Sequence, residues 1–380
     1  MADRRPPKRR IVLSGVGISA MGVLMTFRDA IESLAAEYSG RFDIIALVHN
    51  KSLFNIPGVT FLEYPEVKAS KLRRLRFEYW DCRKISKRLN AYLWLAMHDI
   101  TPSVQAEVKA VYCQNAVACY GFRWKEAVAN PKFGLFMLFY QFLYGINIAA
   151  NDFVVVQQDG LRRAFVSRYG ISNVVVAHPS VDKQIVPEFT KPRLPSSSYR
   201  FFYPSYPWTH YKNFEQILNA ARRLERSGFH GFEIWLTMDG TETPYAAKMA
   251  REYADLATVR WLGVLPRTEV MRLYSETDCL LFPSKLESWG MPITEFKTTG
   301  KPMLAADLPY AHETVGEYGS VAFFDPEDST SLATMMRKAA GREAIFTQVS
   351  EQQIAAPFAR NWGALWKILL APESEEKANP

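Results

Sequence analysis

From Arg200 to Phe324 the chain repeats one rhythm: a run of three to five apolar residues, a break at Gly, Pro or Asp, then a stretch with helical apolar spacing. Phe201–Tyr203, Glu233–Thr237, Val259–Leu262, Asp278–Phe282, Met303–Ala306 and Val321–Phe324 read as strands. Strands alternating with helices at this spacing can pair only in parallel with crossover helices, which makes an α/β, doubly wound sheet. The first half has the same rhythm, with apolar runs at Ile11–Ser14, Asp43–His49, Val59–Phe61, Ala110–Cys113, Phe153–Val156 and Val174–Ala177. Between the halves the chain turns Pro- and Ser-rich and loses periodicity. A chain of 380 residues is long enough for two full cores. The expected domains are 1–182 and 200–350, joined by a linker over 183–199, with a last helix within 351–371.

The chemistry concentrates after Cys279–Phe282. Ser284, Gly290 and Pro292 mark an irregular loop, and a helix follows until Gly300. Glu287 and Glu295 flank the loop with seven residues between them. Gly290 and Met291 place backbone N–H groups at a helix start, where an anion is favoured. A diphosphate would fit there, with a carboxylate on each side to accept hydrogen bonds from sugar hydroxyls. Tyr203-Pro204-Ser205 followed by Lys212-Asn213 forms a second strand–loop–helix, in which Asn213 is expected to cap the helix and Gln216 to reach back. Thr268 is expected to cap a short helix ending at Glu276.

In this context the Glu287-x7-Glu295 pair, with Gly290 and Pro292, resembles the E-x7-E motif of retaining family 4 glycosyltransferases. The resemblance implies a GT-B architecture: two Rossmann-like domains facing a cleft, with the last helix crossing back to the first domain. It implies a nucleotide-diphosphate sugar as donor substrate, and neither cofactor nor metal. Lys212 would stabilise the leaving diphosphate and Glu287 would contact the donor sugar. Glu295 would hold the ribose, Gly290, Met291 and Lys285 the phosphates, and Asp239 and Val264 would line the base pocket. On the acceptor side the resemblance points to Gly17, Gln114 and Asn115. Many members carry an Arg at the start of the loop after Tyr203; this chain has Tyr206 there, with Trp208 nearby. The form of that loop resembles transferases of bacterial O-antigen, capsule or exopolysaccharide, whose acceptor is a glycan or a lipid-linked sugar. The competing readings are a catalytically degenerate GT-B partner subunit and a sugar-nucleotide epimerase.

The formal net charge of +7 permits anionic partners without choosing among them. The helical pattern over 68–97 joins an apolar stripe to Arg73, Arg76, Arg83, Lys84, Lys87 and Trp80. That composition suits peripheral contact with an anionic membrane and equally a solvated face. No nucleic-acid module accompanies it, so nucleic acid is not expected. Phe133–Ala150 is the most apolar segment and reads as a buried helix, with shallow membrane insertion the alternative. The four cysteines are scattered and read as reduced core thiols, and the six histidines are dispersed. The expected location is cytoplasmic, with the inner membrane face as the place of any peripheral contact.

Overall fold

A computed structural model describes residues 8–18, 21–116, 131–179, 198–208 and 210–371. The chain forms two units, one of residues 1–180 with 354–380 and one of 181–353. Most of the 183–199 segment expected to link them lies outside the described residues.

The first unit is built on β1 (Arg9–Ser14), β2 (Phe42–Val48), β3 (Val59–Glu63), β4 (Ala91–Ala96), β5 (Ala106–Cys113), β6 (Phe153–Val156), β7 (Val174–Ala177) and, from the C-terminal segment, β15 (Phe358–Ala359). They lie in the order β15-β7-β6-β5-β4-β1-β2-β3, all in parallel. The central strands are buried throughout because helices cover both faces. Helices Met21–Tyr38 and Trp362–Leu369 share one core cluster with Ile11, Leu13, Tyr92 and Tyr112. The alternate residues Val12 and Trp94 point the other way and pack with Phe77, Cys82 and Ile85.

One expectation fails here. The spacing over 68–97 predicts a single helix, but helices Lys71–Arg76 and Cys82–Leu89, joined by a π turn over Phe77–Asp81, give way to strand β4. Asn90, at φ 46°, ends the helix in the left-handed region, with its N–H bonded to Ser86 O at 2.9 Å. Ala91–Ala96 is apolar at every position, so a step of three or four finds an apolar residue whether the segment is helix or strand. Phe133–Ala150 also departs from its reading. Helix Pro131–Gly145 buries Leu143 and Tyr144 but leaves Leu135, Leu138, Phe139 and Phe142 exposed.

The second unit holds β8 (Tyr199–Tyr203), β9 (Phe232–Leu236), β10 (Val259–Trp261), β11 (Cys279–Phe282), β12 (Met303–Ala306), β13 (Tyr318–Phe324) and β14 (Thr347–Val349). Their order is β10-β9-β8-β11-β12-β13-β14, parallel except for the antiparallel edge strand β14. The central Phe201, Phe202, Leu280, Leu281 and Leu304 are fully enclosed.

Both sheets reverse direction once. In the first the winding reverses between β1 and β4, and in the second between β8 and β11. Neighbouring crossovers leave on opposite faces at such a point, so the loops beyond the carboxyl ends of those strands part and leave a crevice. Cys82, Cys113 and Cys279 are buried free thiols, whereas Cys119 lies outside the described residues.

Candidate functional site

At the switch point of the second unit the loops after β8 and β11 are tied together. Tyr203 Oη donates to Lys212 O at 2.9 Å, and Lys285 N–H donates to Tyr211 O at 2.7 Å. Asn213 is the bolt between them. It stands at φ 59° and its Nδ2 donates to Pro283 O at 3.0 Å and Pro326 O at 2.8 Å. Asn213 therefore does not cap helix Phe214–Arg226 with its side chain, as its position in the sequence suggests. The amide is spent on three converging loops, and the αL conformation that Asn tolerates turns the chain into the helix. Helix Arg267–Glu276 likewise starts at Pro266 without the Thr268 cap.

This frame brings Lys212 and Glu287 together. Lys212 Nζ lies 2.6 Å from Glu287 Oε1, and the two side chains are only 15% and 14% exposed. A pair this enclosed is held by geometry as well as by charge, and losing one partner would strand the other. An ammonium carries three protons, so the bond to Glu287 leaves two donors for a ligand.

Glu295 sits on the short helix Met291–Lys297 and is enclosed by partners of its own. Arg267 Nη2 lies 2.9 Å from Oε1, and Tyr274 Oη donates to Oε2 at 3.1 Å. Burial pushes this carboxyl up, while Arg267 and then Tyr274 pull it down. The sequence reading missed Arg267 and Tyr274. They lie seven residues apart, on one side of helix 267–276, and that spacing was the available signal. Gly290 enters the Glu295 helix at φ 92°, where a side chain would be strained, and no side chain caps the start.

The remaining expected residues of this unit spread along the same edge. Asp239, after β9, accepts from Thr241 N–H at 2.9 Å and Thr241 Oγ1 at 2.7 Å, and these bonds hold its carboxyl below the usual range. A Cβ on Gly263 would come within 2.9 Å of Asp239 Oδ2, so the loop after β10 meets the loop after β9. Val264, next in that loop, is exposed. Lys285 turns its Nζ to Glu327, 2.9 Å away. Tyr206 and Trp208 are exposed and edge-on at 5.6 Å. Their loop is pinned by Tyr206 Oη to Glu242 O at 3.4 Å and by Thr243 Oγ1 to Pro207 O at 2.7 Å.

In the first unit the switch point is closed by side chains. A Cβ at Gly17 would overlap the ring of His98, 2.5 Å from Nε2, so only glycine lets the β1 loop lie against this ring. His98 follows β4 and was missed in the sequence, where a single His after an apolar run gives little signal. Arg74 from helix Lys71–Arg76 contacts Nδ1 of His98 and donates to its carbonyl at 3.0 Å. Burial first, and then the Arg74 charge, press the His98 pKa down to about 3, so the ring is neutral. Gln114 and Asn115 N–H groups both donate to Asp99 Oδ1, at 2.6 and 3.2 Å. Gln114 Nε2 donates to Met97 O at 3.1 Å and Tyr144 Oη to Asn115 O at 3.2 Å. Gly17, Gln114 and Asn115 thus belong to one packed set of loop ends, with the Gln114 amide used internally. Among the described residues no group of three or more His, Cys, Asp or Glu could hold a metal ion.

Residues 197–351 match the family model of glycosyl transferases group 1. The second unit is a group 1 glycosyl transferase domain. Within curated proteins the chain is 25% identical over 126 residues to a glycogen synthase of Mycobacterium tuberculosis, covering 33% of this chain and 30% of that protein. It is 32% identical over 75 residues to O-antigen chain mannosyltransferase B of Escherichia coli, covering 20% of this chain and 19% of that one. The aligned part thus spans less than a third of either relative. Solved structures match over far more of the chain. A glycosyltransferase from Rickettsia africae superposes with a TM-score of 0.64 at 14% identity, over 88% of each chain. WaaG, a glycosyltransferase involved in lipopolysaccharide biosynthesis, gives 0.62 at 15% identity, over 87% of this chain and 90% of its own. Anabaena HepE in complex with UDP and glucose gives 0.55 at 13% identity, over 87% and 89%. The fold of the whole chain is GT-B.

Proposed function

We propose that the chain is a retaining glycosyltransferase that moves a sugar from a nucleotide-diphosphate donor to a hydroxyl of a glycan or lipid-linked acceptor, without metal or cofactor, in the synthesis of bacterial cell-surface polysaccharide. The observation that carries this reading is the enclosed Lys212–Glu287 pair at the switch point of a group 1 glycosyl transferase domain. Support for the donor class comes from HepE, crystallised with UDP and glucose, and for the setting from the O-antigen mannosyltransferase and WaaG. The place of reaction would be the cytoplasmic side of the membrane.

Departure of the nucleotide loads negative charge on the diphosphate. Lys212 answers that charge with the two protons Glu287 leaves free, and a fixed cation stabilises the late charge more than the early one. Glu287, held by the same bond, accepts from hydroxyls of the donor sugar. Glu295 takes the ribose hydroxyls, with Arg267 and Tyr274 holding its carboxylate in place. Met291 and Gly290 N–H groups face phosphate, and Asp239 and Val264 lie toward the base. The reacting carbon becomes oxocarbenium-like, and with no side chain assigned as base, the departing phosphate takes the acceptor proton, which preserves configuration. Lys285 is engaged by Glu327, so the loop without Arg relies on Lys212 as its fixed cation. The acceptor would meet the Gly17, Gln114 and Asn115 loop ends.

The test is hydrolysis of nucleotide sugars with chelator present and acceptor absent. Slow release of free sugar by the wild type, abolished in Lys212→Ala, is the expected result. Release that survives in Lys212→Ala, or that requires a divalent ion, would overturn the reading.

A further inference from the structure

The first unit carries an exposed apolar band remote in role from either switch point. Along helix Pro131–Gly145, Leu135, Leu138, Phe139 and Phe142 are 71%, 52%, 45% and 68% exposed. Steps of three, four and three put them on one side of the helix. Tyr144, on the opposite side, is buried edge-on to Phe165 at 5.4 Å. No charged residue occurs from Gly134 to Gly145. Four large apolar side chains in one stripe are more than the scatter of single hydrophobic residues on an ordinary surface.

The band has a charged neighbour. The β3-to-β4 and β5-to-β6 connections move along the sheet in the same direction, so right-handed crossovers place both on one face. Ser103 ties them: its N–H donates to Glu78 O at 2.9 Å, and Asn147 Nδ2 donates to its Oγ at 3.3 Å. The β3-to-β4 connection exposes Leu72 and Trp80 at 78% and 66%. Between Lys71 and Arg88 it also exposes seven Lys and Arg side chains, against two acids, of which Glu78 is buried and Asp81 half-buried.

We propose that this face of the first unit docks on the surface of a bilayer containing anionic lipid. The stripe of helix Pro131–Gly145 seats at the boundary of headgroups and acyl chains, with Leu72 and Trp80 beside it, and the basic residues meet the headgroups. The inference assigns the two tasks to two elements; the sequence reading gave both to the 68–97 segment, whose last third is a buried strand. The occupant follows from the combination of charges. A second copy in a symmetric contact would set seven like charges against seven, which costs affinity. A nucleic-acid backbone would use the charges and leave the apolar stripe in water. No described helix is long and apolar enough to cross a membrane, so the contact is with the surface.

The test is flotation of the full chain with phosphatidylcholine vesicles, with and without phosphatidylglycerol, at low and high salt. Binding only to the anionic vesicles, weakened by salt, is the expected result. Lys84→Glu with Lys87→Glu should weaken it about 30-fold, from about fivefold per lost basic residue. Leu138→Ser with Phe142→Ser should weaken it at least tenfold, at positions too exposed to disturb folding. Nucleotide-sugar thermal shifts should stay as in the wild type in both variants, which separates this face from the donor site. Equal binding by wild type and variants, equal binding to neutral vesicles, or no vesicle binding at any salt would overturn the proposal. So would an apolar variant whose one effect is loss of self-association in sedimentation.

Discussion

The two switch points obey one topological rule and carry opposite chemistry. In the second unit the crevice between β8 and β11 holds an ion pair, Lys212 with Glu287, whose ammonium keeps protons to spare. In the first, the crevice between β1 and β4 is packed with His98, kept neutral against Gly17 by burial and by Arg74. Arg74 also acts on Glu78 and Asp99, two acids that burial holds above the usual carboxylate range. The topology sets where a ligand can approach, and the side chains at the strand ends set what it meets: a fixed cation in one unit and a neutral, self-compensated wall in the other.

The largest expected effect breaks the charged side of this contrast. Lys212→Ala should lower kcat by about 100- to 1,000-fold, the usual consequence of removing one transition-state donor, with a smaller change in donor KM. Steady-state kinetics on the donor identified below would measure it. A loss confined to KM would mean that Lys212 binds the ground state alone.

Next in size is Glu295→Ala, which leaves Arg267 enclosed without its anion. A loss of about 3 kcal/mol in urea unfolding is expected. Glu295→Gln should recover part of it, because its oxygen still accepts from Arg267. Asn213→Ala should cost about 2 kcal/mol, from two buried carbonyls losing their donor and from Ala at a positive φ. Asn213→Gly would isolate the hydrogen-bond share, since glycine removes the strain.

The smallest effects sharpen the neutral side, through the dependence of stability on pH. Glu78 is raised by burial to about 7, so the folded state holds a proton that the unfolded state sheds above about 4.5. Its contribution to stability therefore falls as pH rises from about 4.5 to about 7. His98 is lowered to about 3, so the unfolded state takes a proton that the fold refuses, and stability falls as pH drops below about 6.5. The slopes are opposite, each at most about 1.4 kcal/mol per pH unit, and they offset one another between about 4.5 and 6.5. Glu78→Gln should expose the His98 slope, with stability rising across that window. His98→Gln should expose the Glu78 slope, with stability falling. Urea midpoints taken in steps of pH would show parallel curves if neither group were buried as described.

How far the molecule is legible in its sequence follows the range of the interaction concerned. The strands of the second unit and the loop holding Glu287 are local, and the apolar runs and the Gly and Pro breaks mark them directly. The Lys212–Glu287 contact joins residues 75 apart, and it was foreseen only as two separate members of a motif. Asn213 shows where local rules mislead: its position suits a helix cap, but two carbonyls from distant loops outcompete the helix N–H groups for its amide. Ala91–Ala96 shows a limit of periodicity, since a wholly apolar strand fits any period. Helix Pro131–Gly145 shows a limit of composition, because apolar residues without polar alternation were read as buried when one side of the helix faces out. His98, Arg74 and Arg267 give no pattern in the chain and become meaningful only when the fold brings their partners to them.

The most direct test of the charged crevice is a thermal-shift panel of GDP-, UDP-, dTDP- and ADP-sugars with chelator present. A ligand of the native state raises the unfolding temperature in proportion to the logarithm of its occupancy. A clear shift with one nucleotide sugar, retained in Lys84→Glu with Lys87→Glu and lost in Glu295→Ala, is the expected result. No shift with any of the four at concentrations far above ordinary affinities, or a shift that Glu295→Ala leaves intact, would contradict the assignment of this site.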